Sequence, residues 1–365
     1  MAYSHSVGPA TTSSSSATSS EASPKFFILP DLFSDCPFPL IYHRDGDVVA
    51  QESVDWLDSG CSELSPKGRK ALHGLKAGEL TAYCYYTAPP ERLRIISDFM
   101  NYLFHLDNIS DGMMTRDTEV LSDAVMNALW YSDSYKPTSA MNKEQPAQEL
   151  NAAKLARDFW ARCIQGAGPG TQARFKETMQ LFFEAVKTQT WQRDTEVILN
   201  LEEYIELRRD TSGCKPCWAL IEYAMDIDLP DFVADNPVIM ALNQSANDLV
   251  TWSNVPQDIF SYNVEQSRGD THNMIIILMT VDGHSLQSAM DYVGGLCRMT
   301  IQKFQEDRAC VPSWGPEVDA MVERYVLGLE AWIVGSLHWS FMTERYFGKA
   351  AAEVKRHRFV SLISS

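Results

Sequence analysis

The chain has 365 residues, 45% of them hydrophobic and 22% charged, and its 48 acidic against 31 basic side chains give a formal net charge of −17. This composition can build a sizeable core, and its acidic balance excludes general nucleic-acid binding, which needs a basic face to displace counterions. Any anionic ligand would have to be held by metal ions or by a local cluster of arginines. The 9 Trp, 14 Tyr and 16 Phe point to an aromatic-lined interior. No apolar run approaches the roughly 18 residues of a membrane span. The N-terminus lacks a basic-then-apolar signal pattern, so a cytoplasmic location with reduced thiols is expected for the 8 scattered cysteines.

Residues 1–24 are dominated by Ser, Thr and Ala and cannot bury apolar area, which predicts a disordered tail. From Phe26 onward the composition is uniform, with a polar loop expected at 133–147. The periodicity is helical almost throughout. Ile95, Phe99, Tyr102, Leu103 and Leu106 recur at spacings of 3 and 4 and form one stripe. Segments around 153–166, 175–194, 198–209, 237–252, 285–304 and 318–341 read the same way. The stretch 320–340 is apolar nearly all round and predicts a central, buried helix. No strand ladder with hairpin turns is visible, so the fold class is all-α, with about ten or more long helices.

Asp107-Asn108-Ile109-Ser110-Asp111 closes an apolar helix with two carboxylates one turn apart on the same face. Acids at a helix C-terminus oppose the macrodipole, so they call for a compensating cation. Hard divalent ions with oxygen ligands suit them. Taken blandly, the pattern is a solvated helix end. Further on, Arg208 and Arg209 precede a helix-stopping Gly213, and Arg suits bidentate phosphate recognition; two arginines at a helix end are also ordinary dipole partners. Cys214-Lys-Pro-Cys217 has redox spacing but neither a preceding strand nor a second Cys pair, so it is read as structural. In 254–268, Ser261 and Glu265 lie four apart on one face, and an amide beside them would complete an all-oxygen magnesium site. Arg345 and Tyr346 end the most apolar helix and are candidate phosphate donors.

The order and spacing of these motifs resemble the class I terpene synthases, most closely the fungal, basidiomycete-type sesquiterpene synthases. The resemblance covers essentially residues 25–365, which would form the catalytic domain. It implies a helical bundle around an apolar cavity and a carbon–oxygen lyase that ionises and cyclises farnesyl diphosphate, with three Mg²⁺ ions. Carried over, Asp107 binds metal with Asp111 as a weaker partner, and Asn254, Ser261 and Glu265 form the second metal triad. Arg208 precedes Asn254 by 46 residues, the sensor spacing of the family. Arg208, Arg268, Arg345 and Tyr346 would hold the diphosphate, and Phe104 and Trp339 fall where the family places cavity aromatics. A protoilludene-type product is a hint from overall likeness. A monomer or homodimer is expected.

The triad departs from the family pattern. Asn254 is followed by Ser at +7 and Glu at +11 instead of +4 and +8, as though Val255-Pro256-Gln257 were inserted. Seven residues of helix advance about 10.5 Å against about 6 Å for four, too far for one Mg²⁺ with ligands near about 2.1 Å. Pro256 also disfavours a continuous helix. Either the helix starts after Pro256, with Asn254 folding back or Gln257 or Asp258 substituting, or the third metal site is lost. The competing readings are a prenyl-chain elongase, which needs a second Asp-rich motif, and a catalytically impaired diphosphate-binding homologue.

Overall fold

A computed structural model describes residues 26–61, 64–136, 138, 144–253, 258–269 and 271–363. The expected tail at 1–24 and the segment Asn254–Gln257 lie outside the described residues. In chain order the elements are β1 (Phe26–Ile28), α1 (Leu32–Asp35), α2 (Gly46–Gly60), α3 (Pro66–Leu75), α4 (Ala77–Cys84), α5 (Pro90–Ser110) and α6 (Thr115–Trp130). There follow α7 (Asn151–Cys163), α8 (Pro169–Asp194), α9 (Leu201–Thr211), α10 (Cys214–Met225), α11 (Asp231–Ala234) and α12 (Pro237–Ser253). The last are α13 (Asp258–Arg268), α14 (Met274–Thr280), α15 (Leu286–Ala309), α16 (Pro316–Trp339), α17 (Ala351–His357) and β2 (Phe359–Ser361). The class is all-α.

Local chemistry sets the helix ends. Pro90 opens α5 at its first turn, where the missing N–H costs nothing. Asn200 and Glu203 form a reciprocal capping box at the start of α9. Between α9 and α10 the chain turns at Gly213, whose φ of +70° is left-handed; a Cβ there would also sit 3.0 Å from Leu103. Only glycine meets both demands at no cost.

The helices pack in a closed circuit, α4 on α5, α5 on α7, α7 on α6, α6 on α8, α8 on α10, α10 on α16 and α16 back on α4. This leaves α5 more deeply placed than its stripe implied. From Ile96 to Leu106 every residue is buried, including Ser97, Asp98 and Asn101. Asp98 and Asn101 find partners within the body. Asp98 meets Arg94 at 3.2 Å and Arg162 at 2.8 Å; burial pushes its pKa up to about 6 against the pull of the two arginines. Asn101 donates to Ser53 Oγ at 2.9 Å. In α16 the buried part begins at Tyr325 and runs to Leu337, with the N-terminal turns more open.

One element escaped the sequence reading. Phe26–Ile28 pairs antiparallel with Phe359–Ser361, Phe27 opposite Val360. Each strand has three residues and buries only its middle one, too short a run for a period of two to register.

Candidate active site

Three stretches of chain converge at one end of the circuit. The last turn of α5 carries Asp107, and Asp111 caps that helix, its N–H bonded to the Asp107 carbonyl at 3.0 Å. Ser261, Glu265 and Arg268 stand along α13. Arg345 and Tyr346 follow α16 in a tight turn, in which the Thr343 hydroxyl accepts from the Arg345 N–H at 3.2 Å. The result is a polar cavity of about 460 Å³ whose walls include Asp111, Ser261, Glu265, Arg268, Arg345 and Tyr346. Arg345 Nη2 donates to Asp107 Oδ2 at 3.3 Å, which ties the turn after α16 to the last turn of α5.

Arg208 lies deeper. It is buried at the end of α9, with Nε 3.7 Å from Asp258 Oδ1 and Nη1 donating to Thr211 Oγ1 at 3.4 Å. Tyr204, one turn earlier, donates to the same Asp258 oxygen at 2.9 Å. Burial pushes the Asp258 carboxyl up to about 6, while Arg208 and the Tyr204 hydroxyl pull it down. Arg208 therefore also contributes to folding, because a buried ion pair leaves an uncompensated charge when one partner is removed. Asp258 engages Tyr204 and Arg208 through Oδ1 at the first turn of α13. Helix α13 is described from Asp258 onward, and the segment 254–257 before it lies outside the described residues.

Below the mouth an apolar cleft runs into the circuit between α4, α5, α8, α10, α12 and α16. Asp107 marks its entrance, and Phe104, Phe182 and Trp332 supply its aromatic wall. Met100, Cys214 and Cys217 add sulfur. The cleft is tight, with a cavity volume of about 30 Å³. Trp339 departs from the expected role. It is buried beside Phe104, ring centres 5.7 Å apart, and its indole N–H is tied to the Lys76 carbonyl at 2.7 Å. The cleft wall is therefore Phe104, with Trp339 packed against it. Cys214 and Cys217 are buried thiols, and burial pushes Cys214 up to about 11, which suits packing and not redox or zinc chemistry.

Two observations bear on what the mouth can hold. The Tyr346 hydroxyl is buried and, among the described residues, has no hydrogen-bond partner. A ligand oxygen would satisfy it. Among the described residues no three His, Cys, Asp or Glu groups come close enough to hold a metal ion by themselves. The donors are carboxylates and a hydroxyl, which suit Mg²⁺, an ion that keeps waters and shares substrate phosphate oxygens rather than filling an all-protein cage. Asp107, Asp111, Ser261 and Glu265 thus fit magnesium when a diphosphate completes the shell.

The sequence reading missed four residues here and the role of a fifth, Asp258. Tyr204 and Asp258 hold Arg208, and the i, i+4 spacing of Tyr204 to Arg208 was a legible signal. Asn273 donates from Nδ2 to Glu265 Oε2 at 2.8 Å. Lys67 and Lys70, exposed on α3, line the mouth opposite the acids; their turn is held there by the Gly74 carbonyl, which accepts from the Glu344 N–H at 3.0 Å.

Comparison with known proteins agrees with this architecture. Residues 98–303 match the family model described as terpene synthase family 2, C-terminal metal binding. The chain is 66% identical to alpha-muurolene synthase of Coprinopsis cinerea, over 97% of this chain and 81% of that protein. It is 65% identical to sesquiterpene synthase Agr3 of Cyclocybe aegerita, over 94% and 96%. A delta(6)-protoilludene synthase of Stereum hirsutum is 33% identical over 92% of each. Among solved structures, a single-residue variant of cucumene synthase superposes with a TM-score of 0.72 at 20% identity, covering 85% of this chain and 99% of that one. Germacradien-4-ol synthase from Streptomyces citricolor gives 0.69 at 20% identity, covering 83% and 96%. With a metal-binding family match across more than half its length and relatives alike along nearly all of it, the chain belongs to the terpene synthases.

Proposed function

We propose that the protein is a sesquiterpene synthase that ionises farnesyl diphosphate and cyclises the resulting cation. The observation that carries this reading is the placement of Asp107 and Arg345, in contact, where the polar mouth meets the apolar cleft. Arg268, Arg345 and Tyr346 bind the diphosphate from the mouth, and Arg208 supplies charge from beneath. Lys67 and Lys70 add positive charge on the α3 side. Bound magnesium, three ions by resemblance, would neutralise charge on the departing diphosphate and so favour its loss. The allylic carbon–oxygen bond breaks with both electrons leaving on the diphosphate, and the fifteen-carbon cation stays in the cleft. Phe104, Phe182 and Trp332 offer ring faces worth on the order of 2 kcal/mol each to a desolvated cation. The apolar walls exclude water that would quench it, and loss of a proton ends the sequence.

The 66% identity to an alpha-muurolene synthase, against 33% to a protoilludene synthase, favours a product of the muurolene kind over the protoilludene kind. Incubation of the purified protein with farnesyl diphosphate and Mg²⁺, with headspace analysis and a chelator control, tests the reading. Absence of any terpene at high enzyme concentration would sink it. A second reading, a catalytically impaired homologue, rests on the tripeptide 255–257, which displaces Asn254 from Ser261 and Glu265 in sequence.

A further inference from the structure

Helix α13 carries Ser261 and Glu265, and a side chain outside that helix can fix how the two face the mouth. Asn273 is placed to do this. It is fully buried at the start of α14, where its Oδ1 accepts from the Ile275 N–H at 2.8 Å. That bond fixes which way the amide points, because a flipped amide would put two donors against each other. The amino group then faces α13. It donates to the Asp258 carbonyl at 2.9 Å and to Glu265 Oε2 at 2.8 Å, with Ser261 Oγ at 3.4 Å. One amide thus touches α13 on successive turns, at the positions that carry the hydroxyl and the carboxylate.

We infer that Asn273 is a positioning residue for the second metal cluster, holding Ser261 and Glu265 in register by its Nδ2 donor; the inference rests on the proposed metal role of those two residues. Asn273 does not itself ligate the ion, because its oxygen is engaged by Ile275. Groups that orient metal ligands typically change metal affinity 10- to 100-fold when removed. The arrangement also explains how two of the three donors keep their place although the insertion separates them from Asn254.

The test separates the amino group from the helix cap. Asn273→Ser keeps a capping oxygen and removes the donor, whereas Asn273→Ala removes both. Binding of Mn²⁺ in the presence of inorganic pyrophosphate, followed by electron paramagnetic resonance, reads the metal site without turnover. Both variants should weaken Mn²⁺ binding roughly tenfold or more, and the Mg²⁺ concentration for half-maximal activity should rise in parallel. Only Asn273→Ala should also lose the cap contribution to thermal stability. Binding of Mn²⁺ within twofold of wild type by folded Asn273→Ser, as circular dichroism verifies, would overturn the inference. A wild-type protein that binds no Mn²⁺ with pyrophosphate would instead remove the proposed function beneath it.

Discussion

Arg345 Nη2 sits 3.3 Å from Asp107 Oδ2, a contact between the turn after α16 and the last turn of α5, 238 residues apart in the chain. Both side chains are about 30% exposed (28% and 30%), so as an ion pair they contribute little to stability, about 0–1 kcal/mol. Asp107→Asn should therefore leave the melting temperature almost unchanged. Its turnover should fall by about 100-fold or more, the usual effect of removing a group that stabilises charge in the transition state. Steady-state assay with thermal melting checks both, and wild-type rate and products would remove Asp107 from the metal site.

Arg208 predicts the opposite balance. Arg208→Lys keeps a charge near Asp258 and should fold, yet lose most activity because the planar fork is gone. Arg208→Ala leaves the buried Asp258 carboxylate with the Tyr204 hydroxyl but no cation, which should cost about 3 kcal/mol or more. Chemical denaturation of the two variants distinguishes them, and equal stability would show that the pair is not structural.

Asp258 predicts a pH dependence in which stability and activity part company. Its folded pKa is raised from 3.8 to about 6, so the folded state binds the proton more tightly than the unfolded one. By linkage, its contribution to stability is most favourable below the unfolded value and is lost as pH rises through 6. Activity runs the other way, because protonation removes the charge that holds Arg208. The pH–rate profile should show an acid limb near 6 that Asp258→Asn abolishes, together with a lower plateau. An unchanged limb in that variant would assign it to another group.

Deleting Val255-Pro256-Gln257 should restore the +4 and +8 spacing of the triad and raise kcat. The product spectrum of the shortened chain, read by gas chromatography, should resemble that of the parent. A deletion variant no faster than the parent would show that the longer spacing is already functional.

Lys67 and Lys70 are exposed at the mouth, and their effect should be on capture. Lys67→Gln with Lys70→Gln should raise KM for farnesyl diphosphate severalfold and weaken inhibition by pyrophosphate, with kcat little changed. The difference from wild type should shrink as ionic strength rises. A kcat effect without a KM effect would place these lysines elsewhere in the cycle.

The main helices and the order of the site motifs were legible because both are local. The 3.6-residue period marks α5, α8 and α16, and the pairs at 107–111 and 261–265 each belong to one helix or its cap. What escaped depends on contacts between distant segments. Asp258 reads as a helix start until α9 brings Tyr204 and Arg208 against it. Asn273 reads as loop until α14 turns its amide onto α13. Trp339 reads as a cavity wall until its indole N–H is seen bound to the Lys76 carbonyl. Burial of α5 on all sides was hidden because Ser97, Asp98 and Asn101 look like a solvent face, and only partners from α2 and α7 reveal otherwise.

The short β1–β2 ribbon has a practical corollary for anyone handling this enzyme. Asn263 donates to the Ser361 carbonyl and accepts from the Ile363 N–H, each at 2.9 Å, so β2 and the residues after it are clamped to α13. Whatever is joined to the chain just past this point pulls on the helix of Ser261 and Glu265. A purification tag or fused enzyme attached there by a tight linker would act as an unintended inhibitor, whereas a long flexible spacer would leave the catalyst untouched. The same clamp makes shortening of the chain before Ser361 a way to loosen one helix of the site without altering any residue that meets the substrate.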